Sequence, residues 1–585
     1  MKKITYILAC ACMIAFSSCA DTFLDLDPLD MKTDQAYFKN PTHFQEYANG
    51  FYSQLLGWRS GITGHMDLQS DLITSRNGEQ TDMGCGSISI ISDDGRWDLF
   101  NSIRTANILL QRGDSYQGDR REIQPYLSAA HFFRAYNYFY LLKYFGGVPI
   151  VTEVYTTSSS GLKNPRNSRY EVIDFILSDL DKAIESLPIE QNIASADKGH
   201  ISRQAAKAFK ARVLLYEATW RKYNGTSTDY VGSAGPARDQ VNEFLDEAIT
   251  LAKEVMDDSA FRLWNYNTNP DIKNLSNRYL FCIENAESNP GAYGRDTNQE
   301  FILYSVFDRV ANPGAQELNK NILSYIYPTR KFIDMFLCTN GLPITGNAQF
   351  QGYHKVGDEF KNRDYRLNSY VGDPTGSTIN LAGTIGFTGY GDQKFRCPTA
   401  KDKEESANYP ILRLAEVYLI YAEALVERNG KITNDQLNAS INKLRDRAGV
   451  AHLTNELADN NGLDMLTEIR RERTVELFLE GFRYDDLKRW GILEKTLNQS
   501  RLGMVVGQQG YATPFKDASG SVITATYSPD SYRYGEASVA TGNGELSCVV
   551  LIPASNCTLR KAHYLYPLPQ RQIDLNPNLK QNPGY

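Results

Sequence analysis

Apolar positions recur at helical spacing through much of the first half of the chain and again between residues 409 and 497. Tyr126–Tyr144 is the longest predicted helix, and Gly146, Gly147 and Pro149 stop it. Its apolar residues nearly surround it (Phe132, Phe133, Tyr136, Tyr138, Phe139, Tyr140, Leu141), which predicts deep burial. Tyr170–Leu187 is amphipathic and closed by Pro188. Ser202–Trp220 sets an alanine face (Ala205, Ala208, Ala211, Ala218) against a large face (Phe209, Val213, Tyr216, Trp220). Small residues on one side let a second helix approach closely. Gln240–Met256 completes the series. Two helix–turn–helix units of about 34 residues result, a spacing that resembles tetratricopeptide repeats. Later pairs are Ile411–Arg428 with Leu437–Ala448, and Met465–Glu480 with Tyr484–Lys495. The predicted fold is mainly α: a tetratricopeptide-like helical repeat scaffold with long irregular loops and a few short strands.

Gly-, Asn- and Asp-rich stretches separate these pairs, at roughly 58–95, 257–320, 340–408 and 500–562. Strand candidates inside them are Tyr279–Ile283 and Val549–Ile552. The expected organisation is one mature domain, 19–585. In it, 126–256 and 409–497 carry the helical pairs, 257–408 is a loop-rich insert and 498–585 a loop-rich end. Loops this long are functional or disordered. Their aromatic content argues against disorder, and the chain holds 36 Tyr, 26 Phe and 5 Trp.

The first residues set a compartment. Lys2 and Lys3 precede the apolar run Ile4–Phe16, which is too short to span a bilayer and suits an export signal. Ser17, Ser18 and Cys19 then follow, and small–small–Cys after such a run resembles a bacterial lipobox, with residues 1–18 removed and Cys19 lipidated. Ordinary cleavage near Ser18 is the alternative. The formal charge is −7 and no long basic run occurs, which argues against a nucleic-acid partner. Cys85, Cys282, Cys338, Cys397, Cys548 and Cys557 are widely spaced, with no C-x-x-C pair to suggest structural zinc. In an exported chain they can pair or remain buried thiols.

Four stretches in order carry a family resemblance: CADTFLDLDP, RAYNYFYLLKYFGGVPI, YPILRLAEVYLIYAEA followed by INKLRDRAGV and IRRERTVELFLEGFRYDDLKRW, and the terminal YLYPLPQRQIDLNPNLKQNPGY. Together they resemble the SusD/RagB family of outer-membrane lipoproteins of Bacteroidetes, over essentially the whole mature chain. The resemblance implies a lipid-anchored protein of the cell outer membrane, facing the exterior. It implies oligosaccharide binding, delivery to a SusC-like TonB-dependent transporter, and neither catalysis nor a cofactor. A peptide-binding relative of the same family is the second reading, and a helix-rich secreted glycoside hydrolase the third.

Catalytic signatures (H-E-x-x-H, G-x-S-x-G, a phosphate-binding loop) are missing from the sequence. Glu472, Glu476 and Glu480 stand four residues apart and would repel if unpaired. Arg473, Arg483 and Arg489 are the expected compensators, with Arg413, Glu416 and Glu423 as a second set, forming a buried ion-pair network rather than a metal site. The C-terminal motif, with Pro567, Pro569, Pro577 and Pro583, is expected to pack back on the helices. A sugar site wants exposed aromatic planes beside Asn, Asp or Arg. Segment 58–97 offers Trp58, Asp71, Arg76, Asn77 and Trp97, though Trp97 opens a helix, and segment 286–307 offers Asn289, Tyr293, Arg295, Asn298 and Tyr304. Tyr293 is favoured because Gly291 and Gly294 flank it. Trp58 stands open between staple and platform. Trp97, Trp264, Tyr266 and Trp490 are assigned to packing.

Overall fold

The computed structural model describes residues 37–585 except 59–66, 76–81, 89, 91–94, 227–228, 315–321, 323–325, 353–356, 372–387, 389, 398, 402, 506–514, 517–521, 524–532 and 542–543. The helices that organise it are α1 (Pro41–Asn49), α2 (Leu99–Asp114), α3 (Arg120–Phe145), α4 (Arg169–Ser186), α5 (Arg203–Asn224) and α6 (Val241–Met256). After a long excursion come α7 (Leu414–Asn429), α8 (Ile441–Ala448), α9 (Met465–Glu476) and α10 (Arg483–Arg489). From α2 to α6 each helix packs on the next in sequence, and α6 then packs on α7 and α7 on α9. This is the stacking that a helical repeat scaffold requires. One contiguous apolar cluster runs from Phe38 to Leu579.

Local chemistry explains most helix ends. The Asp119 carboxylate caps α3 by accepting from Arg121 N at 2.9 Å, and Gly146 ends it at φ 77°. Pro125 lies inside α3, in its second turn, where it lacks the N–H that would otherwise bond the Arg121 carbonyl. Ser168 and Glu171 form a capping box at α4, and Ser202 caps α5. Ala205, Ala208, Ala211 and Ala218 are all fully buried, as the alanine face predicts. Arg134 crosses the interior from α3, donating to Asp179 of α4 at 2.7 and 2.8 Å and to Asn107 of α2 at 2.7 Å.

Several predicted boundaries move. Ile411–Arg413 belong to a strand, because all five residues of Tyr409–Arg413 are buried and a fully buried strand shows no alternation. The Leu437–Ala448 helix breaks at Ser440, where φ is −134° and ψ −92°. The helix from Met465 stops at Glu476, before Leu479 at φ 62°. The Tyr484–Lys495 helix splits around Gly491, at φ 68°. Tyr279–Ile283 is not a strand: Ser276–Tyr279 is one helical turn and Leu280–Cys282 a 3-10 turn. Val549–Ile552 does lie in a strand.

The strands are short and antiparallel. β1 (Ile73–Ser75) pairs with β3 (Ile326–Pro328), and β2 (Phe301–Ser305) with β4 (Tyr409–Arg413). A three-stranded sheet has the order β5 (Arg501–Val505), β7 (Gly544–Ile552), β6 (Arg533–Thr541). The C-terminal tail returns to the helices as expected. Tyr566 N donates to Tyr144 O at 2.7 Å, and the Asn582 amide donates to Phe145 O at 3.0 Å and to Tyr566 O at 2.7 Å. Among the described residues no helix is long and apolar enough to cross a membrane.

Candidate functional site

The acidic column on and beyond α9 is buried and paired. Glu476 meets Arg413 and Arg447 at 2.7 Å and Arg366 at 2.8 Å. Glu480 meets Arg413 and Lys394 at 2.7 Å, and Glu472 meets Arg366 at 2.6 Å and Arg445 at 3.2 Å. Burial pushes the Glu476 carboxyl up, but the three guanidiniums outweigh it and hold the group well below the usual carboxylate range. The ion-pair network is therefore present, with different partners from those expected. Arg473 serves Asp486, Arg483 serves Asp71, and Arg489 serves Glu423 and Asp486. The cations that neutralise the column come from α8, β4 and segment 364–394, elements that only the fold brings near.

Glu300 extends this network to a loop. Its carboxylate accepts from Arg447 at 2.5 Å, from Arg413 at 2.9 Å and from Trp264 N at 2.9 Å. Trp264 is buried, and its indole N–H donates to Thr297 Oγ1 at 3.0 Å. Two partly exposed tyrosines rest on it. Tyr266 and Tyr293 have ring centroids 4.0 Å apart, and both rings stand edge-on to Trp264, at 4.9 and 5.7 Å. Tyr293 Oη accepts from the Asn269 amide at 3.1 Å. Asn289, itself buried, brackets residue 293: its Oδ1 accepts from Tyr293 N and its Nδ2 donates to Tyr293 O. Gly291 is required here, since a Cβ would lie 2.4 Å from the Tyr293 ring. Ala292 is held at φ 55°, a conformation that costs energy without glycine. The result is a partly exposed pair of rings lying face against face, with an amide group at its edge; an outer ring face beside amides is the kind of surface that suits the C–H face and hydroxyl rim of a sugar.

The other predicted contacts have different fates. Trp58 is fully buried; its indole N–H donates to Ala407 O at 2.6 Å, and its ring is edge-on to Phe395 and Tyr409. It is a staple, which corrects its candidacy as a platform. Asp71 is also corrected. It is 2% exposed, forked by Arg483 at 2.9 and 3.0 Å, and met by Lys331 at 2.8 Å. Burial opposes its ionisation, but these two cations hold its carboxyl well below the usual range. Arg295 spends its guanidinium on three carbonyls, Glu284 O at 2.8 Å, Phe307 O at 2.9 Å and Ser406 O at 2.5 Å, so it clamps loops and has little left for a ligand. Tyr304 remains partly exposed on β2, and burial of its ring pushes its hydroxyl up to about 12. Arg76, Asn77 and the lipidation candidate Cys19 lie outside the described residues.

The two predicted segments are tied to shared framework near residues 56 and 406–407. Ser305 Oγ donates to Leu56 O at 2.5 Å, and Trp58 and Arg295 bind the adjacent carbonyls of Ala407 and Ser406. Tyr266 is the residue that sequence reasoning assigned to packing alone. The available signal was its setting: in Trp264-Asn265-Tyr266-Asn267 aromatic and amide side chains alternate, and Thr268 and Asn269 continue the polar run.

The SusD family model matches residues 288–585, and a second model, described as starch-binding associating with outer membrane, matches residues 95–215. A SusD-like protein of Bacteroides ovatus is 23% identical over 598 residues, covering 100% of this chain and 98% of the relative. The SusD-like protein P2 of Formosa agariphila is 24% identical over 512 residues, covering 83% and 90%. A crystal structure of a SusD-like protein from Bacteroides fragilis superposes with a TM-score of 0.68 at 22% identity, covering 96% of this chain and 100% of that one. A laminarin-binding SusD-like protein superposes at 0.55 and 18% identity, covering 94% and 100%.

Proposed function

The chain belongs to the SusD family, and from that premise we propose that it is a cell-surface lipoprotein that binds oligosaccharide and passes it to a TonB-dependent transporter of the outer membrane. Cys19 carries the lipid anchor. The Tyr266–Tyr293 pair, held over Trp264, takes the flat face of a sugar ring, with Asn269 beside it for the hydroxyls. Binding breaks no bond. The observation that carries this reading is a partly exposed aromatic pair on a buried, ion-paired foundation, in a chain whose solved relatives include a laminarin-binding protein.

The test is calorimetry of the mature protein against a panel of oligosaccharides from plant, host and microbial polysaccharides. Wild type binds at least one of them. Tyr266→Ala and Tyr293→Ala each lose a stacking contact of about 1 kcal/mol, which weakens that binding several-fold. The melting temperature moves by only about 1 °C, because about 1 kcal/mol is small against the unfolding entropy of so long a chain. Two results would sink the reading: a protein that binds nothing in the panel, or two variants that bind as wild type does. Incubation with the same polysaccharides releases no reducing ends.

A further inference from the structure

We infer that Cys85 and Cys557 form a disulfide in the mature exported protein, tying the segment that precedes α2 to the segment that follows β7. The two sulfurs are in contact at 3.6 Å, though 472 residues apart in the chain. The backbones are already bound to each other beside them: Thr558 N donates to Cys85 O at 2.9 Å. Gly86, at φ 76°, allows this approach, since a Cβ there would stand 2.8 Å from both Leu559 N and the Thr558 carbonyl carbon. Gly84 is held from both sides. Its N–H donates to Gln69 Oε1 at 2.9 Å, and its carbonyl accepts from Arg501 Nη2 at 3.1 Å. Closing the sulfurs to the bonding distance of about 2 Å therefore asks for side-chain rotation and little backbone movement.

Arg501 supplies the chemistry. It is 2% exposed, is fixed by Leu497 O at 2.5 Å and Gln499 O at 2.6 Å, and places Nη1 3.9 Å from Cys557 Sγ. A buried guanidinium beside one sulfur of the pair favours its thiolate. The partly exposed Cys85 is the sulfur that a donor can reach, while Cys557 is buried. The oxidant is a protein or glutathione disulfide of the exported compartment. Cys85, losing its proton to water, attacks one donor sulfur and expels the first donor thiolate. The Cys557 thiolate then attacks Cys85 Sγ and expels the second. Two thiol hydrogens leave the pair as protons, its two electrons reduce the donor, and one S–S bond is exchanged for another. The Cys282 thiol, by contrast, is spent on Arg396 O at 2.9 Å.

The inference rests on the exported location proposed above, so the experiment separates location from geometry. Full-length mature protein is taken from membranes, denatured in iodoacetamide without reductant, digested and weighed by mass spectrometry. A second sample of purified protein is first equilibrated with glutathione disulfide. The expected result is one peptide pair, Cys85 to Cys557, in both samples, separated by a phosphine reductant. Oxidised wild type should also melt a few degrees lower once reduced, a loss that the Cys85→Ser/Cys557→Ser double variant does not show. Full alkylation of both cysteines in both samples overturns the inference, as does either cysteine linked elsewhere. A link made by glutathione disulfide but missing from the membrane sample overturns it for the mature protein and faults the compartment. A double variant that loses as much on reduction as wild type also overturns it.

Discussion

Asp67 is a buried acid with too few partners, and replacing it with asparagine should stabilise the protein in a pH-dependent way. The residue is 5% exposed. Its Oδ1 accepts from Arg483 N at 3.0 Å, while Oδ2 makes no hydrogen bond among the described residues. Burial pushes its carboxyl from the ordinary 3.8 up to about 7, against the amide dipoles of Arg483 and Leu479 that favour the charge. The folded protein therefore binds a proton that the unfolded chain releases. Between these two values stability falls as pH rises, by about 1.4 kcal/mol for each pH unit. Below the lower value the cost vanishes; above the upper it is complete.

From pH 5 to pH 8 this costs wild type about 3 kcal/mol, since roughly two of those pH units lie below the folded value. In Asp67→Asn the side chain carries no charge and keeps an oxygen for Arg483 N. It also suits the backbone φ of 54° at this position, where asparagine is among the few side chains tolerated. Any constant penalty of the amide cancels when the two pH values are compared. At roughly 2 cal/mol/K of unfolding entropy per residue, about 3 kcal/mol corresponds to about 3 °C for a chain of this length. The assay is the melting temperature of wild type and Asp67→Asn at pH 5 and pH 8. The variant's advantage should be about 3 °C larger at pH 8. An equal difference at both pH values would mean that Asp67 titrates normally, and the argument from burial would fall.

Glu476→Gln should act oppositely and harder, because it leaves Arg413, Arg447 and Arg366 around a neutral group; the cost is about 3–5 kcal/mol. Since the folded Glu476 carboxyl lies below its ordinary 4.5, its contribution is present above that pH and lost as the pH falls further. Melting curves from pH 7 to 3 should show the acid slope of wild type flattened in the variant, and an unchanged slope would count against the network. Cys19→Ala should move the protein out of the membrane fraction in cells lacking the partner transporter, since acyl chains are the anchor expected of the protein itself. Retention in that fraction at wild-type strength would refute the lipobox reading.

How far the fold and the site could be read from the chain depends on where each residue's partner lies. Gly146 acts within its own turn, so the end of α3 was visible as a glycine stop; Asp119 and the Ser168–Glu171 box are equally local but went unread, and the start of α3 was expected at Tyr126 rather than Arg120. Tyr409–Arg413 was not visible as a strand, because what makes it one is Phe301–Ser305, over a hundred residues away. The same division governs the site. Trp58 looked like a ligand contact because it sits in a polar, glycine-containing stretch, yet its acceptor is 349 residues distant; Asp71 finds Arg483 412 residues away. Anchoring a long loop to a scaffold and gripping a sugar call on the same side chains, an aromatic plane, a carboxylate and a guanidinium. Composition cannot separate the two roles. Tyr293 differs because its cause is local. Gly291 is the residue that leaves room for its ring, and Asn289 fixes its backbone from four positions away. The Tyr293 backbone is set by its own neighbours, and although Tyr266, Trp264 and Asn269 meet its ring, the side chain remains partly exposed, which is the physical ground for expecting the ligand there.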